Sequence, residues 1–193
     1  MSSIKFIYTL VFFISILNSG PLPAKRKLGI LGKLAPEFRK MLWYSPVGKP
    51  TVPYKLSDQD GKIIYLHFFQ SWCPGCLSHG LPTIKALSEK YKDNKSVEFY
   101  AIQTVFEGLQ VNSKQKVLSI KNRFKLNIPM AHDDGSLEGA KKSMSMYDYK
   151  SGGTPWAVII SPSREVVYND FHITVAKASE IIDNFLNQSK KKK

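Results

Sequence analysis

The stretch Ile63-Ile64-Tyr65-Leu66-His67-Phe68-Phe69-Gln70-Ser71-Trp72-Cys73-Pro74-Gly75-Cys76 decides how this chain is read. From Ile63 to Phe69 only His67 is polar, and nothing alternates, so the run is expected to be a central strand buried on both faces. It follows the turn cluster Ser57-Asp58-Gln59-Asp60-Gly61-Lys62 and runs into a helix, where Ile84, Leu87 and Tyr91 recur at helical spacing to about Lys92. Two cysteines three apart at that junction can close a small disulfide. Cys73 meets the unpaired amides and positive end of the helix dipole, which favours a thiolate. Pro74 suits the first helical turn, where its missing N–H costs nothing. A thiolate at Cys73 attacks a partner's disulfide, and Cys76 resolves the mixed disulfide. The rival readings are an inert pair and half a zinc site; zinc needs a further Cys/His pair, and the chain has two cysteines.

Outward from this stretch, strand and helix alternate. Val97 to Ile102 is a second strand, followed by a helix started by Asn112 or Ser113 and carrying Val117, Leu118, Ile120 and Phe124. Ile128 to His132 is a short strand and Ser136 to Tyr147 a helix. Trp156 to Ile160 and Glu165 to Tyr168 form a hairpin across Ser161-Pro162-Ser163-Arg164, and the last helix runs from about Val175 to Leu186. The pattern is α/β with a mixed sheet.

Composition agrees with one globular domain. The 193 residues are 43% apolar and 12% aromatic, which excludes disorder. A chain of this length buries roughly two-thirds of its unfolded surface and needs no disulfide staple. The net charge of +13 belongs to the flanks: residues 1–50 carry +7, Lys190 to Lys193 add +4, and residues 51–189 hold only +2. A nucleic-acid binder would carry its basic stripe on the folded surface, so no nucleic-acid partner is expected. The basic flanks are solubilising tails or hold the protein near an anionic membrane surface.

Phe6 to Leu17 is a run of twelve uncharged, mostly apolar residues after Lys5. That is the length of a signal-peptide core, while a bilayer span needs about 20 residues. The site after it is not a clean Ala-x-Ala, and Lys25-Arg26-Lys27 opposes export. The organisation expected is therefore a signal peptide or short membrane anchor over 1–20, a basic leader punctuated by Pro and Gly over 21–50 with one short helix around Pro36 to Tyr44, a folded domain over 51–188, and a lysine tail over 189–193. The expected location is extracytoplasmic, in the periplasm or held at the membrane by residues 6–17.

Gly61-Lys62, the apolar strand, Ser71-Trp72-Cys73-Pro74-Gly75-Cys76, Thr154-Pro155 opening a strand, the hairpin and the C-terminal helix together resemble the thioredoxin superfamily, and more narrowly its exported TlpA/ResA-like branch of thiol-disulfide oxidoreductases. The resemblance covers about residues 52–187. It implies a thioredoxin-like fold, a central mixed sheet flanked by helices, and dithiol exchange with protein substrates without a bound cofactor. It makes Cys73 the exposed nucleophile, Cys76 the buried resolving thiol and Pro155 a cis-proline packed against them. Trp72, Pro74, Thr154 and Pro155 would border the substrate, with Thr154 offering its backbone to an extended strand. Gly152-Gly153 independently allows the bend a cis X-Pro bond requires. Glu107, directly after a strand end, is placed like a glutamate of this branch and could shuttle the Cys76 proton; the alternative is an exposed loop side chain. A membrane-bound electron donor or acceptor is the implied redox partner.

The chain departs from the family pattern in three places. The strand before the motif usually holds a buried acid; here none stands between Ile63 and Phe69, and His67 reads as a hydrogen-bonded core histidine. The helix proline falls six residues after Cys76, at Pro82, one later than usual, which implies a local bulge. Pro74-Gly75 lacks the histidine that marks strong oxidants, which leans the reading toward a reductant with a cytochrome-maturation-like role. The alternative is a thioredoxin-fold copper-delivery module using Cys73, Cys76 and a histidine (His79, His132 or His172), although a one-turn spacing also fits an exposed helix histidine at 79. A peroxidase is weaker, because no Pro-x-x-x-Thr-x-x-Cys surrounds Cys73.

Overall fold

A computed structural model describes residues 27–190. The hydrophobic run over 6–17 and the last three lysines lie outside the described residues.

The stretch from Ile63 to Phe69 is strand β3, and all seven of its residues are buried. It is covered along both edges. On one side it pairs in parallel with β4 (Val97–Thr104), from Ile63 opposite Val97 to Phe69 opposite Gln103. On the other it pairs antiparallel with β6 (Trp156–Ile160), from Ile64 opposite Ile160 to Phe68 opposite Trp156. β5 (Met130–Asp133) lies parallel to β4, and β7 (Val166–Phe171) closes the hairpin on β6. With β1 (Leu42–Tyr44) and β2 (Pro50–Thr51), the mixed seven-stranded sheet has the order β2-β1-β5-β4-β3-β6-β7.

Because successive strand side chains point to opposite faces, β3 feeds two cores. Ile63, Tyr65 and Phe69 pack beneath α1 (Leu81–Lys90), α2 (Lys114–Phe124) and α4 (Val175–Lys190), which contribute Leu81, Ile84, Leu87, Val117, Ile120, Ala178 and Ile182. Ile64, Leu66 and Phe68 join Tyr100, Ile102 and Val158 on the other face.

That second face is where expectation and structure differ most. It is covered largely by residues 34–56, with buried Ala35, Met41, Trp43 and Leu56, and by Tyr149 just past the short helix α3 (Met144–Asp148). Phe38, Trp43, Tyr54 and Tyr100 form an aromatic cluster with ring centroids 5.1–5.8 Å apart. The short helix expected around Pro36 to Tyr44 is instead β1, antiparallel to β5 from Leu42 opposite His132 to Tyr44 opposite Met130. Pairing there satisfies the outer edge of β5, which a helix would leave open. Leu34 bridges to Glu165 near the far edge. The leader from Lys27 on therefore belongs to the packed body.

The helix expected over Ser136 to Tyr147 is likewise broken into a 3-10 turn (Ser136–Glu138) and α3. Asp133 draws the chain in: its carboxylate accepts from the amides of Gly135 (3.2 Å) and Ser145 (2.9 Å) and from the Ser143 hydroxyl (2.7 Å). Those amides go to a carboxylate instead of to helix carbonyls.

Candidate active site

At the end of β3 the chain turns through Gln70–Trp72, and the Cys73 amide donates to the Gln70 carbonyl at 3.2 Å. Cys73 then caps the helix with its own sulfur. The Cys76 amide donates to Cys73 Sγ at 3.2 Å, and the Leu77 amide to the Cys73 carbonyl at 3.1 Å. Pro74 occupies the first helical position, where no amide is missed. The Cys73 thiol also faces the Thr154 carbonyl at 3.5 Å.

Both cysteines are free thiols with different surroundings. Cys73 is 7% exposed, less open than the sequence implied, and Cys76 is 0% exposed. Burial first, and then the hydrogen bond with Cys73, push the Cys76 thiol up to about 12. Cys73 thus has an amide donor aimed at its sulfur, where a thiolate would accept it, while Cys76 sits behind it and holds its proton.

After Cys76 the helix makes the irregular turn that the late proline implied. Residues Cys76–Gly80 form a π-helical turn in which the Leu81 amide bonds the Cys76 carbonyl, five residues back. One extra residue is absorbed there, and a regular α-helix resumes with Pro82 near its start.

The Thr154–Pro155 peptide bond is cis. Pro155 lies against the start of the helix: a Cβ on Gly75 would stand 3.2 Å from Pro155 Cδ, so the glycine permits the close approach. Trp72, Cys73, Pro74, Thr154 and Pro155 line one open groove of about 510 Å³, with Glu107 and Phe106 on its other wall. The Trp72 ring is 43% exposed at its rim. Glu107 is exposed, and among the described residues its carboxylate bonds neither sulfur; its backbone carbonyl accepts from Asn112.

Asn112 is the residue that sequence reasoning missed. Of the two residues the sequence offers as the start of α2, Ser113 stands at the N-cap position without a side-chain cap hydrogen bond, and Asn112 is 1% exposed inside the turn. Its Oδ1 accepts from the Ser71 amide (2.8 Å), the Ser71 hydroxyl (3.0 Å) and Gln103 Nε2 (3.3 Å). Its Nδ2 donates to Gln70 Oε1 (2.8 Å) and to the Glu107 carbonyl (3.2 Å). One side chain therefore ties the turn before Cys73 to the loop that carries Glu107. An asparagine before a helix looks the same in sequence whether it caps or clamps.

The histidines do not form a metal site. His79 and His172 face each other with ring centroids 6.4 Å apart, while His132 lies in β5 with Asp134 at 3.5 Å. Among the described residues no group of three or more His, Cys, Asp or Glu side chains is placed to hold a metal ion. Nothing in this arrangement favours the copper-delivery alternative. His67 is buried in β3 as expected, but neither ring nitrogen has a hydrogen-bond partner. Burial, with His172 nearby, lowers it to about 3, so the ring is neutral.

The redoxin family model matches residues 31–181. This chain belongs to the redoxin family. The redoxin is 29% identical over 140 residues to the thiol-disulfide oxidoreductase ResA of Oceanobacillus iheyensis, covering 72% of this chain and 64% of that relative's length. Among solved structures, it superposes on a thioredoxin-like superfamily protein with a TM-score of 0.70 at 23% identity, covering 79% of this chain and 96% of the other. A thiol-disulfide isomerase from Corynebacterium glutamicum follows at 0.66 and 22%, with the same coverage. The thioredoxin-like fold of the redoxin is thereby established.

Proposed function

We propose that this redoxin is a thiol-disulfide oxidoreductase of the cell envelope that reduces disulfides in protein substrates through Cys73 and Cys76. The observation that carries the reading is the asymmetry of the pair: a sulfur capping a helix and held by the Cys76 amide, with a second thiol fully buried behind it. Cys73 Sγ, as thiolate, attacks one sulfur of a substrate disulfide; that S–S bond breaks, one substrate thiolate leaves, and a mixed disulfide forms. Cys76 then loses its proton and attacks Cys73 Sγ. The mixed disulfide breaks, the second substrate thiolate leaves, and Cys73–Cys76 becomes the disulfide, two electrons having passed to the substrate. Glu107, the carboxylate on the groove wall, takes up the Cys76 proton in the second step.

The Thr154 backbone beside Cys73 offers an edge for an extended substrate chain, with Trp72 and Pro74 along it. The apolar run from Phe6 to Leu17 supports export, and the basic flanks support contact with an anionic membrane surface and a membrane-bound electron donor. Among the described residues no helix is long and apolar enough to cross a membrane.

Trapping tests this reading. Cys76→Ser incubated with oxidised envelope proteins is expected to accumulate mixed disulfides through Cys73, released by dithiothreitol. Glu107→Gln is expected to slow the second step and leave the first unchanged. If Cys76→Ser traps nothing while Cys73 remains alkylatable, the exchange mechanism is wrong.

A further inference from the structure

Followed back from Ala35, the leader is a strap bonded to the outer strand of the sheet that ends against the loop carrying Thr154 and Pro155. The Ala35 amide donates to the Arg164 carbonyl (2.8 Å), the Val166 amide to the Lys33 carbonyl (2.9 Å) and the Gly32 amide to the Val166 carbonyl (2.9 Å). The strap then turns at Gly29, whose φ of +75° favours glycine and where a Cβ would stand 2.8 Å from the Asn169 carbonyl oxygen. At that turn the Gly29 amide donates to the Lys150 carbonyl at 2.9 Å, and Leu28 reaches Gly152.

Leu28 and Phe171 together leave Gly152 no room for a side chain: a Cβ there would stand 2.6 Å from Leu28 Cδ1 and 3.0 Å from the Phe171 ring. Two successive glycines have the most backbone freedom to lose on ordering, and neither has a side chain with which to anchor itself. The bond from the Ser151 hydroxyl to the Gly153 carbonyl (2.9 Å) is local to the loop. Phe171 is itself fixed, edge-on to the buried Trp156 ring at 4.7 Å. Two residues beyond Gly152, the Thr154 carbonyl faces Cys73 Sγ at 3.5 Å, and residues 152–155 all line the reactive groove. A shift of the glycines is therefore passed on to the backbone that meets a substrate. Leu28 is not among the groove's lining residues and is 43% exposed, so it adds less to the core than its buried neighbours do.

We propose that Leu28 is a positioning residue for substrate binding: it holds the Gly152–Gly153 backbone in the conformation that presents Thr154 to an extended substrate chain. The inference rests on the oxidoreductase reading, which supplies that chain. Leu28 acts through Gly152, so the leader takes part in the active site from outside the groove.

The test mixes the pre-reduced full chain with excess oxidised substrate and follows Cys73–Cys76 oxidation by thiol trapping as substrate concentration is varied. Two substrates are compared, a disulfide-bridged peptide long enough to lie along Thr154 and hydroxyethyl disulfide, which is too short to do so. Leu28→Ala is expected to raise the half-saturating peptide concentration about tenfold, the entropy of re-ordering one backbone residue, with the limiting rate unchanged. Its reaction with hydroxyethyl disulfide should match that of the unaltered chain. Leu28→Met, which keeps a long apolar side chain, should restore the peptide value. Gly29→Ala, forced out of its turn, should weaken peptide binding in the same way. The double variant should do no worse than the more impaired single one, because both changes release the same end of the strap. Unchanged half-saturation in Leu28→Ala, with or without a lower melting temperature, overturns the proposal, as does an equal loss with both substrates or additivity in the double variant. If the unaltered chain reduces neither substrate, the oxidoreductase reading fails; if it reduces both and Leu28→Ala behaves identically, only the role of Leu28 fails.

Discussion

The Cys73 groove and a second hollow of about 430 Å³ beside it, which His67 helps to line, share Pro155 and His172 but are built differently. In the groove the reactive atom is fully furnished: Cys73 Sγ has an amide donor 3.2 Å away and a carbonyl at 3.5 Å. In the hollow the buried His67 ring has no hydrogen-bond partner among the described residues. A site that does chemistry holds its reacting atom in place before the substrate comes. A buried ring with no partner costs stability and holds no reacting atom.

Substitutions should separate the two. Cys73→Ser should lower disulfide reduction by at least about a hundredfold, since the nucleophile itself is gone; a smaller loss in a standard insulin-reduction assay would mean the groove is not where exchange starts. The second effect concerns pH. Folding raises the Cys76 thiol to about 12, whereas an unfolded thiol ionises near about 8.5. Above that lower value the folded state binds the extra proton, so the stability this contributes is present in full below about pH 8.5 and is lost as pH rises through about 12. Urea melts of the reduced protein should show stability falling through this window, and Cys76→Ser should flatten the fall; equal slopes would mean that Cys76 is not buried as described.

Asn112→Ala should cost about 2–3 kcal/mol in the same melts, because buried Gln70 and Gln103 and the Ser71 amide lose their partner together. An effect below about 0.5 kcal/mol would show that the turn before Cys73 is held by something else. The smallest change should be Gly80→Ala. Helix propensity alone favours alanine by about 1 kcal/mol, but its Cβ would press on His67 and Pro155. The crowding should win by about 1 kcal/mol net, and pairing the change with His67→Ala should recover most of that loss. A stabilised single variant would mean the hollow is roomier than its lining indicates.

Both the legible and the illegible parts of the chain have physical reasons. Ile63 to Phe69 declared itself, since seven nearly unbroken apolar residues fit only a strand covered on both faces. Pro82, one residue later than the family resemblance implies, foretold an irregular turn, because the extra residue must go somewhere. Leu42–Tyr44 was not legible as a strand: three residues among prolines and glycines carry no periodicity, and what makes them β1 is the open edge of β5, nearly ninety residues on. The stretch 136–147 reads as helical by local preference, but Asp133 outside it takes the Ser145 amide that such a helix would need. In the site, the cysteines and Thr154-Pro155 announce themselves by type and order. Asn112 and the unpaired state of His67 do not, since both depend on what lies across space.

Cys73 and Cys76 should work as one redox pair. The most direct test is the reduction potential of the full chain, measured by thiol trapping in graded dithiol buffers. A reversible two-electron couple at or below roughly −250 mV, a reductant's value, is expected. A couple near roughly −120 mV would contradict the direction of electron flow, and the absence of any reversible couple would contradict the function itself.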